Sequence, residues 1–376
     1  MTRQQAVEFV RELQQGVNTH DTARLMRLYT DDAVAKSPMF PMIAGRAAIE
    51  KSWETLFFLF PDWSVEVSEV LVDGERIAFL GRASATDRNG WFGQPATGER
   101  IEYRAAVILD IVDGKIVRDE RIYDLAGVLQ RLEKARLDKE LRMAAEIQRI
   151  LLSRRTHQTA YCEAVADSIP CLAIGGDFFE LVQLPSGSFG MALGDVAGKG
   201  PASALVAAMI QGMLTTEVEH QSSPSTVLGR LNRMLAPRGL DPRFATLVYG
   251  VLSPDGRFVY SNAGHTLPLV LSDGRVRRLT AGGPALGMFL ESQFAEETVT
   301  LAEGDQVILF SDGITEARNA QDQEFGDQRL TSCISTGSAG SASEMLRRIL
   351  STVQDFCRGA PQGDDISASV VRLKRS

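Results

Sequence analysis

The chain has 376 residues, is 23% charged and 44% hydrophobic, and carries a formal net charge of −8. That apolar share is ordinary for folded domains and too high for sustained disorder, and the length predicts about two to three domains. No run of about 20 uncharged apolar residues occurs, which excludes a membrane-spanning helix, and the acidic balance argues against a general nucleic-acid binder. The opening residues lack the basic-then-apolar order of a secretory signal, so a cytoplasmic location is expected. Four cysteines (Cys162, Cys171, Cys333, Cys357) form no CxxC pair, and four histidines (His20, His157, His220, His265) form no HExxH. A catalytic metal would therefore have to be held by carboxylates.

Val7, Val10, Leu13 and Val17 recur at helical spacing and predict a first helix. Asn18-Thr19-His20-Asp21 breaks it, and residues 22–29 start a second. Residues 30–44 read as short segments, and Gly45 to Trp53 as a third helix that ends before Pro61. From Trp63 the pattern becomes strands at 63–72, 76–87, 99–112 and 115–124, with tight-turn signals at Asp73-Gly74 and Asp113-Gly114. Helices followed by a four-stranded antiparallel meander predict an α+β cone over residues 1–125.

Residues 126–157 are charged and helical, with Leu137, Leu141, Ala144, Ile147 and Leu151 forming an apolar stripe. About 25 such residues make a rod of roughly 38 Å. This segment is expected to be a linker helix that pairs with its twin in a homodimeric coiled coil.

Residues 158–376 mix strands at 189–195, 245–252, 258–261, 267–271, 306–310 and 366–373 with helices at 201–219, 225–235 and 341–357. The connections between strands are short and turn-like. That favours antiparallel sheets flanked by helices over a doubly wound parallel sheet.

Four acidic signals stand at strand ends beside glycine: Gly175-Gly176-Asp177, Gly194-Asp195, Ser311-Asp312-Gly313 and Gly363-Asp364-Asp365. Singly, each is ordinary turn chemistry. Together, carboxylates placed this way suit a site for hard cations. Gly198-Lys199-Gly200 before a helix lacks the spacing of a nucleotide loop.

Those segments, with Asn262-Ala263-Gly264-His265 and Asp312-Gly313-Ile314-Thr315-Glu316 in the same order, resemble the bacterial serine phosphatases of the stage II sporulation protein E family. That family belongs to the metal-dependent, 2C-type protein phosphatases. The resemblance implies an α/β/β/α sandwich of two antiparallel sheets with two Mn²⁺ or Mg²⁺ ions at one end. It implies hydrolysis of phosphoserine or phosphothreonine, typically on an anti-sigma-factor antagonist protein. Carried over by residue, Asp195 bridges both ions and the Val196 carbonyl completes one coordination sphere. Asp177 acts on the first ion, through water, while Asp312 and Asp364 hold the second, with Asp365 an alternative to Asp364. Such ions activate water for in-line attack on phosphorus, so no covalent phosphoenzyme is needed. The histidine that follows the bridging aspartate in the eukaryotic branch has no counterpart in Val196-Ala197-Gly198. His265 has a loop-orienting reading beside a catalytic one, and Lys199 reads as a solvated lysine.

The first region resembles the nuclear transport factor 2-like superfamily, SnoaL-like branch. The resemblance rests on Leu28-Tyr29-Thr30-Asp31-Asp32-Ala33, the helix start at Gly45-Arg46-Ala47-Ala48-Ile49 and the ending Glu120-Arg121-Ile122-Tyr123-Asp124. It implies a cone with an apolar pocket for a small-molecule ligand, which Trp53, Phe57, Trp63, Phe79, Trp91 and Tyr103 would line. Asp124 is either an acid/base residue of that pocket or the N-cap of the linker helix. The expected function is a phosphatase controlled by its N-terminal domain. One alternative is a bifunctional protein whose SnoaL-like domain is an isomerase or cyclase, and another is a non-catalytic partner-binding module.

Overall fold

The computed structural model describes residues 1–91, 93–152, 155–220, 223–238, 244–336 and 340–374. The chain divides into two units, Met1–Glu140 and Leu141–Ser376.

In the first unit, α1 (Arg3–Asn18) opens on a capping box in which Thr2 and Gln5 satisfy each other's amides. Its Ala6, Val10, Leu13 and Val17 are buried on one face, as helical periodicity requires. Then come α2 (Thr22–Arg27), β1 (Tyr29–Ser37), β2 (Phe40–Ala44) and α3 (Arg46–Leu59). They are followed by β3 (Ser64–Asp73), β4 (Arg76–Thr86), β5 (Arg100–Val112) and β6 (Lys115–Tyr123). One sheet of six strands results, in the order β2-β1-β6-β5-β4-β3. The expected meander is β3 to β6, but Tyr29 opens a strand rather than closing a helix, and β1 pairs parallel with β6. Only Tyr29, Ala33, Ala35 and Ser37 of β1 are buried, so its apolar signal is thin and its place depends on a distant partner. Val10, Leu13, Ile49, Trp53 and Leu56 of the helices share one core with Ile77, Phe79, Leu109 and Ile116 of the strands.

Helix α4 (Leu125–Leu151) runs through the division between the units. Its first turns bury Val128 and Leu132 in the core of the first unit. Further along, Leu137 is 48%, Met143 60%, Ile147 63% and Ile150 73% exposed.

The second unit begins with β7 (Arg155–Gln158), β8 (Cys162–Ile169), β9 (Phe178–Gln183), β10 (Phe189–Val196), α5 (Pro201–His220) and α6 (Pro224–Leu235). It continues with β11 (Ala245–Leu252), β12 (Arg257–Ala263), β13 (Leu269–Ser272), β14 (Arg275–Arg278), β15 (Glu296–Thr300) and β16 (Gln306–Phe310). The last elements are α7 (Asp312–Thr315), α8 (Gly326–Ser335), α9 (Ala342–Phe356) and β17 (Ile366–Leu373). Two antiparallel sheets form, ordered β15-β12-β11-β10-β9 and β14-β13-β16-β17-β8-β7.

Strand periodicity of two assigns each residue to a layer. Phe189, Met191 and Leu193 of β10 meet Val307 and Leu309 of β16 and Val371 of β17 between the sheets. Ala192 and Val196 face outward under Ile210 and Leu214 of α5 and Leu228 and Leu231 of α6. Ile308, Phe310, Ala368 and Val370 face outward under Met345, Leu346 and Ile349 of α9. This is the α/β/β/α sandwich expected from the sequence. Among the described residues no helix is long and apolar enough to cross a membrane.

Candidate active site

Each carboxylate singled out in the sequence sits where a strand begins or ends. Asp177 precedes β9, Asp195 is the penultimate residue of β10, Asp312 opens α7 two residues after the end of β16, and Asp364 lies two residues before β17. Strands β9 and β10 pair in one sheet, and β16 and β17 in the other. The electrostatics show that all four converge. Burial, then the charges of Asp312, Asp364 and Asp365, push the Asp195 carboxyl up to about 7. Burial and then Asp195 hold Asp177 well above the usual carboxylate range. Asp312 is raised by burial and then by Asp364. The Val196 carbonyl belongs to the same group. A β-carbon on Gly176 would stand 2.8 Å from that oxygen and 3.0 Å from Asp195 Oδ1.

Asp364 and Asp365 part company here. Asp365 is 5% exposed and its carboxylate accepts from three amides, those of Cys171 (2.8 Å), Gly176 (2.8 Å) and Asp177 (3.4 Å). It ties the Asp177 loop to the start of β17. Asp364 is half-exposed, its Oδ1 takes the Asp365 amide at 2.9 Å, and its Oδ2 meets Lys199 Nζ at 3.0 Å. Gly175 and Gly313 allow this closeness, since a β-carbon on either would overlap Asp365. Asp365→Ala removes the acceptor that ties down the Cys171, Gly176 and Asp177 amides, and is expected to weaken Mn²⁺ binding by about 10- to 100-fold. Calorimetric titration checks this, and unchanged affinity would count against it.

The donor set fits hard cations. Asp177 Oδ2 is buried with no hydrogen-bond partner, although Ser311 and Ser367 lie beside it. Both hydroxyls donate elsewhere, to the Asp365 carbonyl and to Ser168. A buried carboxylate oxygen without a donor, among like charges, is costly unless a proton or a cation neutralises it. Cys171 also lies within 4.8 Å of Asp364 and Asp365. Burial and then Asp365 push its thiol up to about 11 in the metal-free chain, and the rest of the cluster offers oxygen donors, which hard cations prefer.

Other positions fall into place around this cluster. Buried His265 receives or gives one hydrogen bond at 2.8 Å to Thr246, whose hydroxyl also reaches the Asp195 carbonyl at 3.4 Å. Its amide donates to Asn262 Oδ1 at 2.7 Å, and burial lowers its pKa to about 4. It is a neutral brace for the loop after β12. Gln148, on the second-unit part of α4, was not singled out in the sequence. Its amide side chain donates to the Gly175 carbonyl at 2.8 Å and accepts from the Gly175 amide at 3.0 Å. Nothing in the helical periodicity distinguishes it from other polar residues of that face.

The first unit holds a separate cavity of about 90 Å³. Trp53, Trp63, Phe79 and Tyr103 line it as expected. Phe57 instead stacks on Trp53 and His20, and Trp91 packs edge-on against Phe60. Neither belongs to the lining. Asp124 is not in the lining either; its Oδ1 accepts from the Gly127 amide at 2.9 Å and caps α4. The cavity's carboxylate is Asp119, which takes Tyr29 Oη at 2.7 Å and Arg121 Nη2 at 2.7 Å. The Arg121 guanidinium lies 4.3 Å from the Trp53 ring centre.

A sandwich of this order with carboxylates gathered at one end is the fold of the metal-dependent protein phosphatases. The SiaA-PP2C domain of Pseudomonas aeruginosa matches it with a TM-score of 0.55, over 64% of this chain and 98% of that one, at 18% identity. The family profile described as stage II sporulation protein E (SpoIIE) matches residues 185–374, half of the chain. A SnoaL-like domain profile matches residues 10–119. Phosphoserine phosphatase RsbU of Bacillus subtilis is 28% identical over 286 residues, covering 74% of this chain and 82% of that protein. Phosphoserine phosphatase RsbP of the same organism is 25% identical over 192 residues, covering 48% and 46%. The chain belongs to the stage II sporulation protein E family and is a protein serine/threonine phosphatase with a SnoaL-like domain in its first unit. Both resemblances drawn from the sequence are met.

Proposed function

We propose that this phosphatase acts on a phosphorylated regulatory protein of the anti-sigma-factor-antagonist kind, in the cytoplasm, under control of its SnoaL-like domain. In this reading residues 1–125 are the sensor, 126–157 the linker and 158–376 the phosphatase. The observation that carries it is the convergence of Asp177, Asp195, Asp312 and Asp364, where burial and neighbouring carboxylates raise the carboxyl groups of the first three. The two relatives named as phosphoserine phosphatases support the substrate class.

Asp195 would bridge two Mn²⁺ or Mg²⁺ ions, with Asp177 and the Val196 carbonyl on the first and Asp312 and Asp364 on the second. Bound there, the ions supply an activated water and offset charge on phosphoryl oxygens. The chain's own work is placement. Asp365 and Gln148 hold the Asp177 loop from two sides. The glycines leave the space between the carboxylates free of side chains. His265, buried and neutral, braces the strand end rather than handling a proton.

In the first unit, the cavity suits a small-molecule ligand whose binding biases the phosphatase. Such a ligand regulates only by its difference in affinity between the active and inactive arrangements. The oxygens of Asp119 are already engaged by Tyr29 and Arg121. That favours binding over the isomerase or cyclase chemistry of the alternative reading. A complete carboxylate set likewise disfavours a non-catalytic module.

The enzymatic test is phosphate release from a phosphoserine protein, which should require Mn²⁺ and stop with a chelator. Release that survives chelation would overturn the metal-centred reading. The exposed Met143, Ile147 and Ile150 of α4 support the homodimer. Ile147→Asp is expected to shift the sedimentation of the full chain from dimer to monomer. A wild-type chain that is monomeric at tens of micromolar would refute the dimer.

A further inference from the structure

Asp177, Asp195, Asp312 and Asp364 are neutral together with two divalent cations and Asp365 adds a further negative charge, whereas a phosphoserine group arrives with a charge of about −1.5 to −2. A positive group at the rim of the site would complete the balance. Beside Asp364 runs a groove of about 590 Å³, lined among others by Lys199, Gly313, Arg318, Arg358 and Asp364. Two of its cations are already engaged. Arg318 pairs with Asp322 and Glu324, and Arg358 with Asp355.

Lys199 is different because of what its partner does. It stands between β10 and α5, and its ammonium lies 3.0 Å from Asp364 Oδ2 while also donating to the Gly363 carbonyl. Its side chain is 46% exposed and that of Asp364 42%. Asp312 also feels its charge. The pair is half in solvent, so it is weak and easily exchanged. A divalent cation that takes Asp364 removes the partner of Lys199. The freed ammonium, on a flexible four-carbon stem, then stands at the edge of the reacting centre. Lysine serves phosphate as a mobile point charge, without the fixed fork of arginine.

We propose that Lys199 is an exchangeable counter-cation, neutralising Asp364 in the metal-free protein and turning to the phosphoryl oxygens of the substrate once Asp364 binds a cation. This rests on the two-cation reading above. No bond is made or broken by Lys199, which keeps its proton throughout. It lowers the electrostatic cost of bringing the phosphate dianion in.

The test uses the full-length chain and its Lys199→Met and Lys199→Arg variants. Calorimetric titration with Mn²⁺ reads the first half. With no ammonium competing for Asp364, Lys199→Met should bind Mn²⁺ about three- to fivefold more tightly, the worth of a half-exposed ion pair. Inhibition by inorganic phosphate, and KM for a phosphoserine protein, read the second half. Both should weaken about tenfold or more in Lys199→Met, as loss of a charge-assisted hydrogen bond predicts, with kcat changed less. Lys199→Arg should restore most of the phosphate affinity.

A Lys199→Met variant that hydrolyses, binds Mn²⁺ and is inhibited by phosphate as the wild type does would overturn the proposal and leave the two-cation reading standing. Weaker Mn²⁺ binding in Lys199→Met would also overturn it, since Lys199 would then merely support Asp364. A wild-type chain that takes up no Mn²⁺ would instead remove the two-cation reading, and this proposal with it.

Discussion

Asp195→Asn is expected to reduce phosphoserine hydrolysis by about 10³-fold or more, because in the proposed two-cation site Asp195 would hold both ions, a position with no substitute. The same variant should lose the rise in Tm that Mn²⁺ gives the wild type. Binding to the folded state alone stabilises by mass action, about 2.7 kcal/mol at a hundredfold excess over Kd. A thermal shift therefore separates loss of metal from loss of fold. The pH dependence has a definite sign. In the metal-free folded chain Asp195 keeps its proton up to about pH 7, against an ordinary value of 3.8. The folded state holds more protons than the unfolded one across that window, so stability falls as pH rises through it. Metal-free wild type should melt lower at pH 8 than at pH 6, and saturating Mn²⁺ should erase the difference. Asp195→Asn should show a flatter profile without metal. A metal-free Tm that climbs from pH 6 to pH 8 would contradict the crowding of carboxylates described above.

Arg121→Met should destabilise the first unit by about 3–5 kcal/mol, the usual cost of stranding one partner of a buried ion pair. Its side chain is 15% exposed and that of Asp119 3%, with 2.7 Å between them. Tyr29 alone would then be left to satisfy a buried carboxylate. The double variant Asp119→Leu with Arg121→Met should recover much of the loss, because an apolar pair leaves no charge behind. The measurement is convenient. The chain's three tryptophans, Trp53, Trp63 and Trp91, all belong to the first unit, so their fluorescence during urea unfolding follows that unit. A single variant as stable as the wild type would show that the pair is not sealed from water.

Several strands of the second unit were legible because they are short, apolar and punctuated. Residues 245–252, 306–310 and 366–373 form strands within the bounds read from the sequence. Each lies between a sheet interior and a covering helix layer, so both faces carry apolar side chains, although Ser367, Ser369 and Arg372 interrupt the last. β1 was missed for the opposite reason. Asp31 and Asp32 interrupt its alternation, and its parallel register with β6 joins residues more than 80 positions apart. At the site, the aspartates and their glycines were visible as local motifs. The division of labour between Asp364 and Asp365 was not, because Asp365 is defined by amides 188 to 194 positions away. Gln148 and Asp119 were hidden likewise, each being one polar residue among several until packing selects it.

Gly175, Gly176 and Gly313 bear on how this gene tolerates change. Any base substitution that alters a glycine codon to another amino acid adds at least a β-carbon. At Gly175 and Gly313 that carbon would overlap Asp365, and at Gly176 it would crowd the Val196 carbonyl at 2.8 Å. These glycines lie in the loop before β9 and the first turn of α7, at the strand ends rather than along the strands. A random mutant library sorted for normal protein abundance but lost phosphatase output should therefore be enriched at these three codons as strongly as at the aspartates themselves.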